Sequence, residues 1–404
     1  MSVSIEDIHA ARARIGDAVF LTPCRKSTIL SRECGRRVYL KLDNLQMTGS
    51  FKERGARNKL MLLSKVDRDR GVIAASAGNH AQAVAYHGAE LGIKTKIVMP
   101  LGTPLIKVER TKSFGGQVVL AGDNFDEAYR VAREIEKEEG LVFVHPFNDE
   151  DVIAGQGSLG LEILEQMPDV DIIVVAVGGG GLISGVASAV KATHPHVRII
   201  GVEPEVLPSM KRAVEVGHPI ALVAHQTLAD GVAVRKVGEI TAAIVSKLVD
   251  DLVTVSESEI AESILMLLEQ EKTLAEGAGA ASLAAIRAGK IGKPDDKICA
   301  IICGGNIDMN IISRIIENGL VAAGRLQRIA VQITDTPGTL AKILSIVGDL
   351  KGNILEVRHN RTFTSGTTFG TTNVELKIET KNKAHFEKIK SELNENCFKL
   401  IEFL

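Results

Sequence analysis

The sequence predicts an α/β protein: doubly wound, mostly parallel sheets, followed by a smaller ferredoxin-like βαββαβ block. Three observations carry this. From about Val72 to Gly319, short β-branched apolar runs alternate with longer helical patterns, the order of repeated strand–helix–strand units. The runs are nearly all apolar rather than alternating, which marks strands covered on both faces, as in parallel sheets. From Arg325 the order changes to β-α-β-β-α-β, that of a ferredoxin-like sandwich.

In chain order, apolar runs place strands at residues 97–99, 118–120, 142–144, 172–177, 199–202, 252–255 and 298–302. Pro104 stands where a first-turn proline belongs, ahead of a helix over 105–114. Ser256, Glu257, Ser258 and Glu259 read as a capping box that opens a helix toward Gln270. In the second block, 328–334, 353–360, 371–378 and 398–403 read as strands, and 338–350 and 384–393 as helices. No low-complexity linker intervenes. Residues 1–322 are therefore expected to form one domain of two α/β subdomains, and 325–404 a second.

Lys and Arg total 48 against 50 Asp and Glu, a balance that gives no electrostatic case for nucleic acid or an anionic membrane. Aromatic residues make up 3% and Trp is absent, so base-stacking platforms are not expected either. The five cysteines, Cys24, Cys34, Cys299, Cys303 and Cys397, form no CxxC pair. Zinc and disulfide frameworks are poor readings, no metal is expected, and a reducing cytoplasm fits best. The N-terminus has no apolar core and does not read as a signal peptide. Residues 172–190 lack charge and approach membrane-spanning length, but Gly178, Gly179, Gly180 and Gly181 interrupt them. A strand, a glycine loop and a helix explain that stretch better.

Four segments read as apolar strands ending in small-residue loops: 76–80, 178–181, 275–279 and 303–306. All four are expected to gather at one sheet edge. Glycine lets backbone N–H groups approach a ligand, and a helix start adds positive potential, so a phosphate can be cradled without a lysine. The four successive glycines are the best such site; a tight turn is the plainer reading. Neither GxxxxGK[ST] nor a GxGxxG with an acidic partner is present, against a P-loop or nicotinamide site. Lys52 lies among small residues beside Phe51. Most lysines are solvated surface charges, but a desolvated one is a nucleophile that forms an imine with a carbonyl.

Six motifs then occur in order: TGSFKERGA from Thr48, SAGNHAQ from Ser76, VGGGGLISG from Val177, LADGVAV from Leu228, AEGAGA from Ala275 and CGGNID from Cys303. Together they resemble the serine/threonine dehydratase family, type II pyridoxal-phosphate enzymes of the tryptophan-synthase-β kind, over about residues 5–320. The tail resembles an ACT regulatory domain, through the run Asp335 to Leu340 and the run Asn353 to His359.

The resemblance implies pyridoxal 5'-phosphate as cofactor and loss of water and ammonia from threonine or serine. Lys52 would carry the cofactor and later move the substrate α-proton. Phe51 would pack on the pyridine ring, and Asn79 would hydrogen-bond the ring 3'-oxygen, although an asparagine there also suits a helix N-cap. Gly178 to Gly181 and Leu182 would bind the phosphate. Ser76, Ala77, Gly78, Asn79 and His80 would hold the substrate carboxylate through backbone N–H groups; nothing demands the imidazole of His80 itself. Gly231 and Glu276 would line the cofactor pocket. Cys303 stands where the family places Ser, Cys or Thr against the pyridine nitrogen. In the tail, Asp335, Pro337, Gly338, Leu340 and Asn353 would bind an effector, with isoleucine or valine preferred, and the chain would pair as a homodimer or homotetramer.

Two other readings stay open. A serine racemase carries a serine at the position of Ala77 as a second base, and a methyl group cannot exchange a proton. Some relatives hold a metal near Glu203, but acidic partners are missing from 204–210. A non-catalytic amino-acid sensor is the alternative of a different class, and the intact Lys52 argues against it.

Overall fold

Between Cys24 and Ile301 the chain forms ten strands: β1 (Cys24–Lys26), β2 (Arg37–Lys41), β3 (Val72–Ala75), β4 (Thr95–Met99), β5 (Gln117–Leu120), β6 (Val142–Phe143), β7 (Ile172–Ala176), β8 (Arg198–Pro204), β9 (Asp251–Val255) and β10 (Lys297–Ile301). The computed structural model that contains them describes residues 3–360 and 370–401. Its residues group into two units, Met1–Ile307 and Asp308–Leu404.

In the first unit the strands make two sheets, in the orders β1-β2-β10-β7-β8-β9 and β5-β4-β3-β6. Every neighbouring pair is parallel except β1 with β2. All five residues of β7 are buried, as a strand covered by helices on both faces requires. Each run expected to be a strand is one, to within a residue or two. Pro104 takes the N-cap position of the helix Leu105–Ser113, one place earlier than a first-turn proline. Ser256 and Glu259 form the expected capping box on the helix Glu257–Glu269.

Glycines let three helices approach closely. A Cβ at Gly155 would lie 2.6 Å from the carbonyl oxygen of Arg54, and one at Gly185 2.4 Å from that of Ile153. The helix Glu150–Gln166 is thereby pressed against both Lys52–Leu62 and Gly181–Thr193. The carboxyl ends of β3, β6, β7 and β10 lead into the loops that hold Ser76, His145, Gly178 and Cys303, where ligands bind in open parallel sheets. The segment from Ala275 differs from expectation. It follows the helix Glu257–Glu269 rather than a strand, and leads into the helix Gly277–Arg287.

The second unit contains the helix Met309–Ala322 and then β11 (Leu326–Thr334), the helix Thr339–Asp349, β12 (Asn353–Asn360), β13 (Thr371–Glu379), the helix Lys383–Glu395 and β14 (Lys399–Ile401). Its sheet order is β12-β13-β11-β14, with every pair antiparallel, the ferredoxin-like arrangement. Ile329, Val331 and Ile333 of β11 alternate inward onto Ile343, Val347, Ile389 and Leu393 of the two helices, as the period-two pleat dictates. The last strand was expected to reach residue 403; residues 402–404 lie outside those described.

Candidate active site

Two short backbone segments place Lys52. Phe51 N–H donates to the Cys303 carbonyl at 3.0 Å, and Gly305 N–H to the Gly49 carbonyl at 2.9 Å. Residues 49–51 thus run against 303–305 before the helix Lys52–Leu62 begins. Gly49 makes the turn at φ +77, a backbone conformation natural to glycine. The Lys52 amine donates to the Pro146 carbonyl at 2.9 Å and lies 5.1 Å from the centre of the Phe51 ring. Burial pulls its pKa down to about 8, against the opposing pull of Cys303 and Glu276.

The groups around the amine are mostly neutral. Burial pushes the Cys303 thiol well above its ordinary range, with Glu276 adding to the effect. Burial, then the nearby Asp230, push the Glu276 carboxyl up to about 8. Its Oε1 accepts from Asn79 Nδ2 at 2.6 Å, and a Cβ on Gly231 would lie 3.3 Å from that oxygen. His80 is buried, with Nε2 2.8 Å from the Val144 carbonyl. A carbonyl only accepts, so Nε2 carries the proton; burial, helped by Lys52, holds the pKa down at about 3. His145 accepts at Nδ1 from Phe147 N–H at 3.2 Å and Asn148 N–H at 2.8 Å, and burial holds it at about 4.

The glycine loop is packed against the same neighbourhood. A Cβ at Gly179 would fall 2.2 Å from the Phe147 ring, and one at Gly180, where φ is +92, 2.4 Å from Met210. A Cβ at Gly178 would lie 2.8 Å from the Cα of Val232. Gly181 and Leu182 open the helix Gly181–Thr193, whose first-turn N–H groups have no acceptor within the helix and carry the positive end of its dipole. Thr241 Oγ1 donates to the Gly179 carbonyl at 2.7 Å. The loop at His145 therefore joins the lysine to the glycines, through Pro146 on one side and Phe147 on the other.

At the end of β3, Gly78 N–H donates to Ser76 Oγ at 3.2 Å, and Gly78 is the N-cap of the helix Asn79–Glu90. Asn79 is thus not a cap: its side chain faces Glu276 and Asn306. Lys52, Phe51, Asn79, Gly231, Glu276 and Cys303 come together with the glycine loop. Glu203 is buried and accepts from the backbone N–H groups of Met210 and Lys211 at 2.7 and 2.9 Å. Among the described residues, no group of three or more His, Cys, Asp or Glu could hold a metal, and no helix is long and apolar enough to cross a membrane.

The loop from His145 to Asn148 and the side chain of Asn306 were not singled out from sequence. β6 is two residues long and carries no glycine signal after it. Asn306 was visible only as the last residue of a glycine turn. In the second unit, Gly338 starts the helix Thr339–Asp349 at φ +90, Asp335 and Pro337 are exposed, and Leu340 packs on the core. Asn353 Nδ2 donates to Glu379 at 3.1 Å.

The family described as "Pyridoxal-phosphate dependent enzyme" matches residues 15–304. The chain is 49% identical over 387 residues to the L-threonine ammonia-lyase of Thermotoga maritima, covering 96% of each. Among solved structures it resembles the processed form of threonine deaminase isoform 2 from Solanum lycopersicum, with TM-score 0.75 and 40% identity, over 78% of this chain and 86% of that one. It also resembles maize serine racemase, with TM-score 0.75 and 35% identity, over 80% of this chain and 99% of that one. With both sheets of the first unit and the lysine–glycine site inside the matched residues, the chain belongs to the family of pyridoxal-phosphate dependent enzymes.

Proposed function

We propose that this chain is an L-threonine ammonia-lyase, which removes water and ammonia from L-threonine to give 2-oxobutanoate and converts L-serine to pyruvate. One observation carries the reading: the desolvated amine of Lys52 stands beside a glycine phosphate cradle, in a chain 49% identical to an L-threonine ammonia-lyase along nearly its whole length.

The residues fit the cofactor. Side chains at Gly179 and Gly180 would strike Phe147 and Met210, so backbone N–H groups line this loop, the donors that an anion with no lysine partner needs. In this assignment Gly178 to Gly181 and Leu182 hold the phosphate, Lys52 the aldehyde carbon, Phe51 the ring face, Asn79 the ring oxygen and Cys303 the ring nitrogen. Gly231 and Glu276 line the pocket, and the backbone from Ser76 to His80 takes the substrate carboxylate. When bound, the cofactor supplies an electron-withdrawing ring that loosens the hydrogen on the substrate α-carbon.

With the cofactor bound and the substrate amine in place of its own, Lys52 would take the α-proton at Nζ. Its pKa, lowered by burial from 10.5 to about 8, suits a general base better than that of a solvated lysine. His80 and His145, both held neutral, add no cation beside it. The neutral thiol of Cys303 is a weak donor and supplies no negative charge to keep a proton on a ring nitrogen. Electron withdrawal would then be moderate, which favours loss of the β-hydroxyl over return of the proton; the departing hydroxyl and the proton taken up at Lys52 Nζ together make up the water lost. Ala77 offers only a methyl group where a serine could serve as a second base. The second unit acts in this reading as an amino-acid sensor for isoleucine or valine at Asp335, Pro337, Gly338, Leu340 and Asn353, in a paired cytoplasmic enzyme.

The test is to assay the holoenzyme for 2-oxobutanoate from L-threonine and for pyruvate and D-serine from L-serine. Elimination well ahead of racemisation, with D-serine formation raised in Ala77→Ser, supports the reading. A wild-type enzyme that racemises L-serine as fast as it eliminates water from it overturns the assignment.

A further inference from the structure

The side-chain amide of Asn79 has two ends of nearly the same shape, and its partners decide which end faces where. Nδ2 meets Glu276 Oε1 at 2.6 Å, and Oδ1 meets Asn306 Nδ2 at 2.8 Å. Glu276 does not settle the choice, because a carboxyl pushed up to about 8 exists in both forms near neutral pH and can donate or accept. Asn306 does settle it. Its Nδ2 also donates to the Thr48 carbonyl at 2.7 Å, and a carbonyl accepts only. That contact fixes the nitrogen end of Asn306 toward Thr48 and Asn79. The amide as a whole is closely seated: a Cβ at Gly49 would lie 2.7 Å from Asn306 Oδ1, against a bare backbone that is itself held at φ +77.

The polarity therefore runs from a main-chain carbonyl outward: Thr48 C=O, Asn306 N–H, Asn79 C=O, Asn79 N–H. Reversing Asn79 would set its N–H group against the N–H group of Asn306. One hydrogen of Asn79 Nδ2 is taken by Glu276; the second is directed about 120° away, as a planar amide requires. An atom that meets this second N–H must be an acceptor.

We propose that Asn306 is a positioning residue that sets the sense of the Asn79 amide, so that Asn79 presents N–H and not C=O to the oxygen on the ring of the bound cofactor. The inference rests on the proposed cofactor site and adds to it a residue that acts entirely through another. A donor at this point holds the ring oxygen in its deprotonated form. It thereby sets both the tightness of cofactor binding and the balance between the long- and short-wavelength absorbance bands of the holoenzyme.

The experiment compares wild type, Asn306→Asp and Asn306→Ser as purified holoenzymes, with Asn79→Ala and Asn79→Ala/Asn306→Asp as a double-mutant cycle. Asn306→Asp places an acceptor opposite two acceptors; Asn306→Ser removes the amide and reads the same effect if the aspartate variant does not fold. Either change is expected to weaken cofactor binding about tenfold, the scale of one lost hydrogen bond between buried partners, and to move absorbance from the long- to the short-wavelength band. In the Asn79→Ala background the further change at residue 306 is expected to leave the band ratio where it was. Wild-type affinity and band ratio in both single variants overturn the inference, as does an undiminished effect of Asn306→Asp when Asn79 is already alanine. A wild-type enzyme with no cofactor absorbance at all overturns instead the proposed function.

Discussion

Glu276 is a carboxyl whose protonation is set by its walls. Burial first, and Asp230 second, raise its pKa from 4.5 to about 8. The folded state therefore holds a proton that the unfolded chain gives up above about 4.5. Its contribution favours folding below that pH and is lost progressively as the pH rises to about 8. Lys52 works in a separate window: with its pKa lowered to about 8 from 10.5, its desolvation weighs against folding below 8 and is relieved as the pH rises above it. Glu276→Gln, neutral at every pH, should flatten the fall of melting temperature between about 4.5 and 8. Melting curves across that range check this; parallel slopes for variant and wild type would mean that Glu276 does not titrate there. Of this, the sequence shows only, through the resemblance, that Glu276 lines a pocket; its protonation is not legible there, because burial and the nearby Asp230 set it.

The helix Lys52–Leu62 owes its place to a charge network as well as to the glycine contact with Glu150–Gln166. Arg54, two residues after the lysine, donates to Asp43 at 2.8 and 2.9 Å and to Glu162 at 2.6 and 2.9 Å. Lys41 reaches the same Glu162 at 2.6 Å. All four side chains are buried. Burial opposes the charge on Arg54, but Asp43 and Glu162 hold its pKa above the ordinary value, and Arg54 in turn holds that of Asp43 down. Removing one member of such a set leaves the others buried and uncompensated, which costs about 3–5 kcal/mol. Arg54→Met should lower stability by that amount in denaturant unfolding and weaken cofactor retention with it; a loss below about 1 kcal/mol, the scale of an exposed pair, would show the network to be dispensable. Elements whose signal is local were readable from the sequence: the apolar runs, the capping box at Ser256, the glycine turns. The network was not, because Arg54 and Glu162 stand 108 positions apart and each looks like an ordinary surface charge. The loop at His145 escaped for the opposite reason: nothing local marks it, and its importance comes from what Pro146 and Phe147 touch.

At the scale of the molecule, the α/β unit and the βαββαβ unit were both legible, since each is written in the order of its elements. The role of the second was legible only as a resemblance, because ferredoxin-like folds host many functions. If it senses isoleucine or valine, either ligand should bind one global state of the enzyme better than the other. A coupling of about 1–3 kcal/mol would shift threonine affinity about 5–150-fold. Threonine saturation curves with and without isoleucine, and thermal melting with each amino acid, check this; unchanged curves and unchanged melting temperatures would leave the second unit a structural module. In the proposed reaction one amine, that of Lys52, holds the cofactor and does the chemistry. Borohydride reduction of the holoenzyme followed by peptide mass mapping tests it most directly. The cofactor label is expected on Lys52, and Lys52→Ala is expected to fold, to hold no reducible cofactor and to release no 2-oxobutanoate from L-threonine. A label on another lysine, or threonine turnover surviving in Lys52→Ala, would contradict the account.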